Sequence, residues 1–111
     1  MEEVTKKFFA DFLIQQYHCL FIISNKNNFP WFDGMTRSSA AIENALNCMR
    51  KDYFFLHNMD YDSERKYKLE CKLEHMIYVL NQMLIKKKNI DEEIQMFWTS
   101  LDIFHKTTFQ S

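Results

Sequence analysis

Leu69-Glu70-Cys71-Lys72-Leu73-Glu74-His75-Met76-Ile77-Tyr78-Val79-Leu80-Asn81-Gln82-Met83-Leu84 decides the fold class. Leu69, Leu73, Met76, Ile77, Leu80 and Leu84 recur at spacings of three and four, which places them on one face of a 3.6-residue helix. The other side carries Glu64/Lys68 and Lys66/Glu70 as i,i+4 ion pairs, each worth about 0.2–0.5 kcal/mol. Asp60 or Asp62 can cap the start. Lys86, Lys87 and Lys88 place cations at the negative end of the helix dipole. The expected helix covers about 62–88. An isolated helix is marginal in water, so partners must cover its apolar face.

Downstream, Asn89 followed three residues on by Glu92 has the form of a capping box, with Asp91 and Glu93 adding negative charge to the first turn. The helix expected there covers about 90–106. Its face is Ile90, Ile94, Phe97, Trp98, Leu101 and Phe104 or His105, with Trp98 on the core stripe and a frayed tail from Thr107, though Phe109 can dock. Upstream, Ile42, Leu46, Met49, Tyr53 and Leu56 mark a helix over about 38–57. Ala40, Ala41 and Ala45 would let a neighbour approach closely, and Phe54 and Phe55 would widen the apolar face. The first helix covers about 5–24, with Thr5 as its cap. Phe8, Phe9, Phe12, Leu13, Leu20 and Ile23 supply its apolar ridges, and the stretch His18–Ile23 should be its most buried part.

Between the first two helices lies an aromatic loop, 25–37. Asn25, Asn27 and Asn28 suit a helix end, and Pro30 and Gly34 punctuate the chain. Phe29, Trp31 and Phe32 make a loop of this length unlike a solvated one. Together these segments describe an all-α protein, a single-domain bundle of four or five amphipathic helices spanning 1–111.

Composition agrees. The chain has 111 residues, 47% hydrophobic and 16% aromatic, with one Gly and one Pro. So few turn formers exclude a turn-rich all-β fold. A net charge of −1 gives no global field toward nucleic acid or an anionic membrane. Phe, Tyr, Met, Ile, Asn and Lys, whose codons are A/T-rich, supply 51 residues, whereas Gly, Ala, Arg and Pro supply 9. Cys19, Cys48 and Cys71 are odd in number and widely spaced, each in an apolar run. They are expected as buried free thiols in a reducing, cytoplasmic setting, without an intramolecular disulfide. The acidic N-terminus is a poor signal peptide, and the apolar run Cys19–Ile23 is too short to span a membrane.

Three chemistries compete with plainer roles. Arg50 and His57 form an Arg-x6-His spacing that resembles the R-x4-6-H signature of HEPN domains, small helical bundles that often act as ribonucleases. The resemblance covers eight residues and implies a phosphate clamp at Arg50 and an acid or base at His57. The plainer role is a surface arginine and a histidine at a helix C-terminus. Cys71 and His75 share a helix face at i,i+4, as two zinc ligands would, with Asp60, Asp62 and Glu64 as further oxygens. The plainer roles are core-edge and capping residues, and no metal or other cofactor is expected. Lys6, Lys7, Lys86, Lys87 and Lys88 would form a basic cluster if the first helix began beside the end of the third. Without a basic stripe, nucleic acid is not the expected partner.

With no Gly-rich phosphate loop and no supported nucleophile pair, the expected function is non-enzymatic protein binding by a small inhibitor of immunity or antitoxin type. Its partner would be a toxin or an enzyme, with a homodimeric adaptor subunit or the HEPN-like ribonuclease as alternatives. No membrane or small-molecule substrate is expected. The expected partner-binding residues are Phe29, Trp31, Phe32 and Asp33, with Trp31 as anchor or as a plug at the bundle end.

Overall fold

The computed structural model describes residues 3–24, 34–87 and 89–109, with the side chains of 34–38 excepted. Four helices lie among them: α1 (Glu3–Ser24), α2 (Gly34–His57), α3 (Ser63–Lys86) and α4 (Asp91–Phe109). Each packs on two neighbours: α1 on α2 and α4, and α3 on the same pair. Among the described residues the diagonal pairs do not meet. Successive helices run antiparallel, so α1 and α3 point the same way. The start of α1, the end of α2, the start of α3 and the end of α4 therefore share one end, the foot. No described helix is long and apolar enough to cross a membrane.

The core is one continuous cluster. Fully buried Phe9 meets the rings of Tyr61 at 5.6 Å and Phe104 at 5.9 Å, both edge-on. Phe12 lies 4.8 Å from Phe104. Leu20, Ile23, Met49, Leu56, Leu69, Leu73, Met76, Leu80, Met83, Phe97 and Leu101 fill the rest of the bundle. Ala41 and Ala45 are buried where α1 meets α2. The absence of a longer side chain at Ala45 lets buried Gln16 donate from Nε2 to its carbonyl at 3.1 Å.

Several expectations are corrected. Thr5 is not a cap: it lies inside α1 and is buried. The helix begins at Glu3 because Glu3 and Val4 continue the helical run. The stretch His18–Ile23 is only partly inside. Cys19, Leu20 and Ile23 are buried, whereas His18 and Phe21 face outward, since α2 and α4 cover no more than one side. The helix α2 starts at Gly34, four residues before the expected 38. The apolar stripe begins later than the helix, and Met35 and Arg37 are good helix formers. On α3 the buried stripe includes Val79 and Met83, while Ile77 and Leu84 lie at its edge.

On α4, Trp98 is off the core at 49% exposed. Buried Ser100 and Glu93 turn the stripe toward α3, a rotation that counting apolar residues alone could not show. The tail is helical rather than frayed as far as Phe109, and 110–111 lie outside the described residues. Thr108 is buried and donates Oγ1 to the carbonyls of Phe104 and His105 at 3.1 and 2.9 Å. Only Cys19 is a buried thiol, because Cys48 is half-buried and Cys71 is exposed, off the Leu69–Leu73 stripe. All three are free.

The α3–α4 corner depends on two non-glycine residues with positive φ. Lys87 ends α3 at φ 62°, with its N–H on the Met83 carbonyl at 3.0 Å. Asn89 follows at φ 55°. The cap position of α4 belongs to Ile90, whose carbonyl accepts from the Ile94 N–H at 2.9 Å. Asn89 thus precedes the cap, and its value is tolerance of the left-handed region. Across the corner the Lys86 ammonium bonds the Glu93 carboxylate, which that partner holds below the usual range despite the cost of its burial. Lysine carries a Cβ penalty at φ 62° that glycine lacks. Lys87→Gly should therefore raise stability by about 1 kcal/mol, read as a higher urea midpoint at unchanged slope. A lower midpoint would show that the Lys87 side chain contributes more than its backbone strain costs.

Candidate interaction surface

The foot gathers side chains from three elements. Phe54 and Phe55 are the penultimate apolar pair of α2, off the Ile42–Leu56 stripe. They are 72% and 50% exposed, and Val4 from α1 is 73% exposed. Phe8 stacks on Phe55 at 4.8 Å with 28° between the planes. A hollow of 300 Å³ is lined by Val4, Thr5, Phe54, Phe55, Asn58, Met59 and Asp60. Asp60, itself part of that lining, is exposed, as are Asp62 and Glu64 where α3 begins. Asp62 and Glu64 have cations one turn on, Arg65 at 3.9 Å and Lys68 at 3.5 Å. At the helix-start position Asp62 makes no side-chain cap hydrogen bond.

The turn that presents Asp60 is fixed from three sides. Asn58 donates from Nδ2 to the Phe54 carbonyl at 2.8 Å. The Lys66 ammonium bonds the carbonyls of His57 and Met59 at 3.4 and 3.1 Å, closing the end of α2 with a cation. Tyr61 packs on Phe9 beneath. The sequence pattern counts Phe54 and Phe55 with the core, and the structure corrects this. The available signal is their position one residue to each side of the stripe members Tyr53 and Leu56, which directs them away from it.

On the α3 flank, Arg50 and His57 lie seven residues apart on α2, about 10.5 Å along the axis and on one stripe. His57 Nδ1 is 3.1 Å from Glu70 Oε1, and its ring lies parallel to Tyr53, with 6.5 Å between centroids. The Tyr53 hydroxyl donates to Glu74 Oε1 at 2.8 Å, and that bond pushes the phenol up to about 12. The Glu70 carboxylate therefore borders the imidazole, a setting that repels a phosphodiester.

The other sequence candidates are dispersed. Cys71 and His75 are exposed, and among the described residues no three His, Cys, Asp or Glu side chains could hold a metal ion. Lys6 and Lys7 lie at the foot, whereas Lys86 and Lys87 lie at the far end, so these four do not cluster; Lys88 lies outside the described residues. Parallel α1 and α3 keep one helix's start away from the other's end. Phe29, Trp31, Phe32 and Asp33 lie outside the described residues. No family model matches this chain, and no curated protein or solved structure is similar to it.

One turn before Phe55, half-buried Asp52 adds negative charge. Burial holds its carboxyl above the usual range, and the neighbouring Lys51 only partly offsets this. A carboxyl raised by folding stabilises fully below its unfolded value and loses that contribution as pH rises through the folded value. Asp52→Asn should therefore raise the melting temperature at pH 7, with a smaller gain near about pH 4. Paired thermal melts at the two pH values check this, and a larger gain at the lower pH would contradict it.

Proposed function

We propose that this chain is a non-enzymatic protein-binding module, a small cytoplasmic inhibitor of immunity or antitoxin type that covers the working surface of a basic partner protein. The observation that carries the reading is the foot. Exposed Phe54, Phe55 and Val4 line a hollow together with Asp60, and exposed Asp62 and Glu64 follow where α3 begins. Aromatic anchors supply most of the energy at an interface, and surrounding carboxylates steer a cationic partner and fix its register. The turn is already held by Asn58, Lys66 and Tyr61, so little ordering cost is left for binding. Amphipathic helices suit the role, because a packed core leaves side chains near helix ends free for recognition.

The HEPN-like ribonuclease is the enzymatic alternative, favoured by Arg50 and His57 sharing a stripe. The Glu70 carboxylate beside His57 argues against RNA there. A ribonuclease assay comparing the wild type with His57→Ala should show no difference above background, whereas cleavage lost in the variant would establish the enzyme.

Affinity capture by the full chain from its native host should yield one stoichiometric basic protein. Phe54→Ala should weaken that complex by about 2 kcal/mol or more, roughly 30-fold. Asp60→Lys should lower the association rate and its salt dependence. Full affinity in Phe54→Ala would place the binding surface elsewhere.

A further inference from the structure

A second surface lies on the α1–α4 side. A groove of 520 Å³ runs between these helices, lined by Ala10, Leu13, Ile14, Tyr17, His105 and Phe109. Ala10, Ile14 and Tyr17 follow one another at helical spacing along α1, outside the core stripe. Tyr17 is edge-on to Trp98 at 6.0 Å and to His105 at 6.2 Å, and His105 is edge-on to Phe109 at 5.9 Å. Burial, and after it the charge of Asp102, pushes the Tyr17 phenol up. Ile14 stands on the ridge beside it, 68% exposed.

We infer that this face binds a second copy of the same chain, with Ile14 of each protomer seated in the α1–α4 groove of the other. Three observations select that occupant. First, the face carries both a knob and a hole. A two-fold axis joins one patch to its own copy, so a face holding both members of a fitting pair is self-complementary. Second, its rims are charge-balanced. Lys7 pairs with Asp11 on α1, and Lys106 with Asp102 on α4, each four residues apart. Such a rim exerts no net attraction on a partner of either sign, and apposing two copies brings no excess of like charge together. Third, the size fits. The 19 residues of α4 extend about 28 Å, and the bundle is 22 Å wide. That rectangle of about 600 Å² bounds the contact and reaches the low end, about 600 Å² per partner, of what a specific interface buries. The foot residues Val4, Phe54, Phe55 and Asp60 line none of this groove, so the inference does not rest on the reading given to the foot.

Sedimentation equilibrium of the full chain over a concentration series tests the inference. The expected result is a concentration-dependent rise from the single-chain mass to twice that mass. Ile14→Lys should remove the rise while far-ultraviolet dichroism and the thermal melt stay unchanged. Ala10→Arg, which fills the groove one turn before Ile14, should remove it as well. Ile85→Lys, at an equally exposed isoleucine on α3, should leave it intact. A single-chain mass maintained up to about 1 mM, the weak end of the affinity scale, would overturn the proposal and leave the face to a different protein. So would a dimer that survives both Ile14→Lys and Ala10→Arg.

Discussion

The Phe9 ring is the contact on which the rest of the arrangement depends. It is fully buried, and it touches Phe104 of α4 and Tyr61 of the α2–α3 turn. One side chain thus ties α1, α4 and the turn at the foot into one unit. Burying a phenylalanine contributes about 1.5–3 kcal/mol, and each edge-on aromatic pair adds about 0.5–1.5 kcal/mol. The consequence is positional as well as energetic. With Tyr61 held beneath, the turn from Asn58 to Asp62 cannot lift away, and Phe8, adjacent to Phe9, is set against Phe55.

The core is filled by apolar side chains, with Gln16 among the few polar ones within it, so recognition is left to surfaces. Two of these differ in kind. The foot is aromatic with an acidic edge, and it suits a basic surface. The α1–α4 side is apolar between balanced ion pairs, and it suits itself. The far end serves the fold instead. Lys86 meets Glu93 there, and two left-handed residues reverse the chain in a short connection. A helical bundle with short antiparallel connections keeps its ends and sides independent, which is why one domain of this size can carry two surfaces.

The period of the sequence is enough to show four helices and most of their inner residues. Leu69, Leu73, Met76 and Leu80 lie on the expected face because four apolar residues at helical spacing leave no other face to bury. The rotation of a stripe is harder to see. Trp98 and Phe97 are neighbours 100° apart on an ideal helix, roughly, and the choice between them depends on Ser100 and Glu93 being small or paired enough to be buried. That information lies in the packing of α3, not in the local pattern. Phe54 and Phe55 mislead for the same reason, because an apolar residue beside a stripe looks like part of it. Asn89 carries a genuine signal of a helix start, displaced by one residue, since Asn serves both caps and left-handed positions. Arg50 and His57 are visible as a spacing, but Glu70, which pairs with His57, comes from another helix.

Chemical denaturation of Phe9→Ala tests the central dependence most directly. If the Phe9 ring ties the three elements together, its removal should cost about 3–5 kcal/mol, and α1, the turn and α4 should still unfold in one transition at a much lower midpoint. A loss below about 1 kcal/mol, typical of a surface position, would show that the bundle is held elsewhere and that the foot is not built on this contact.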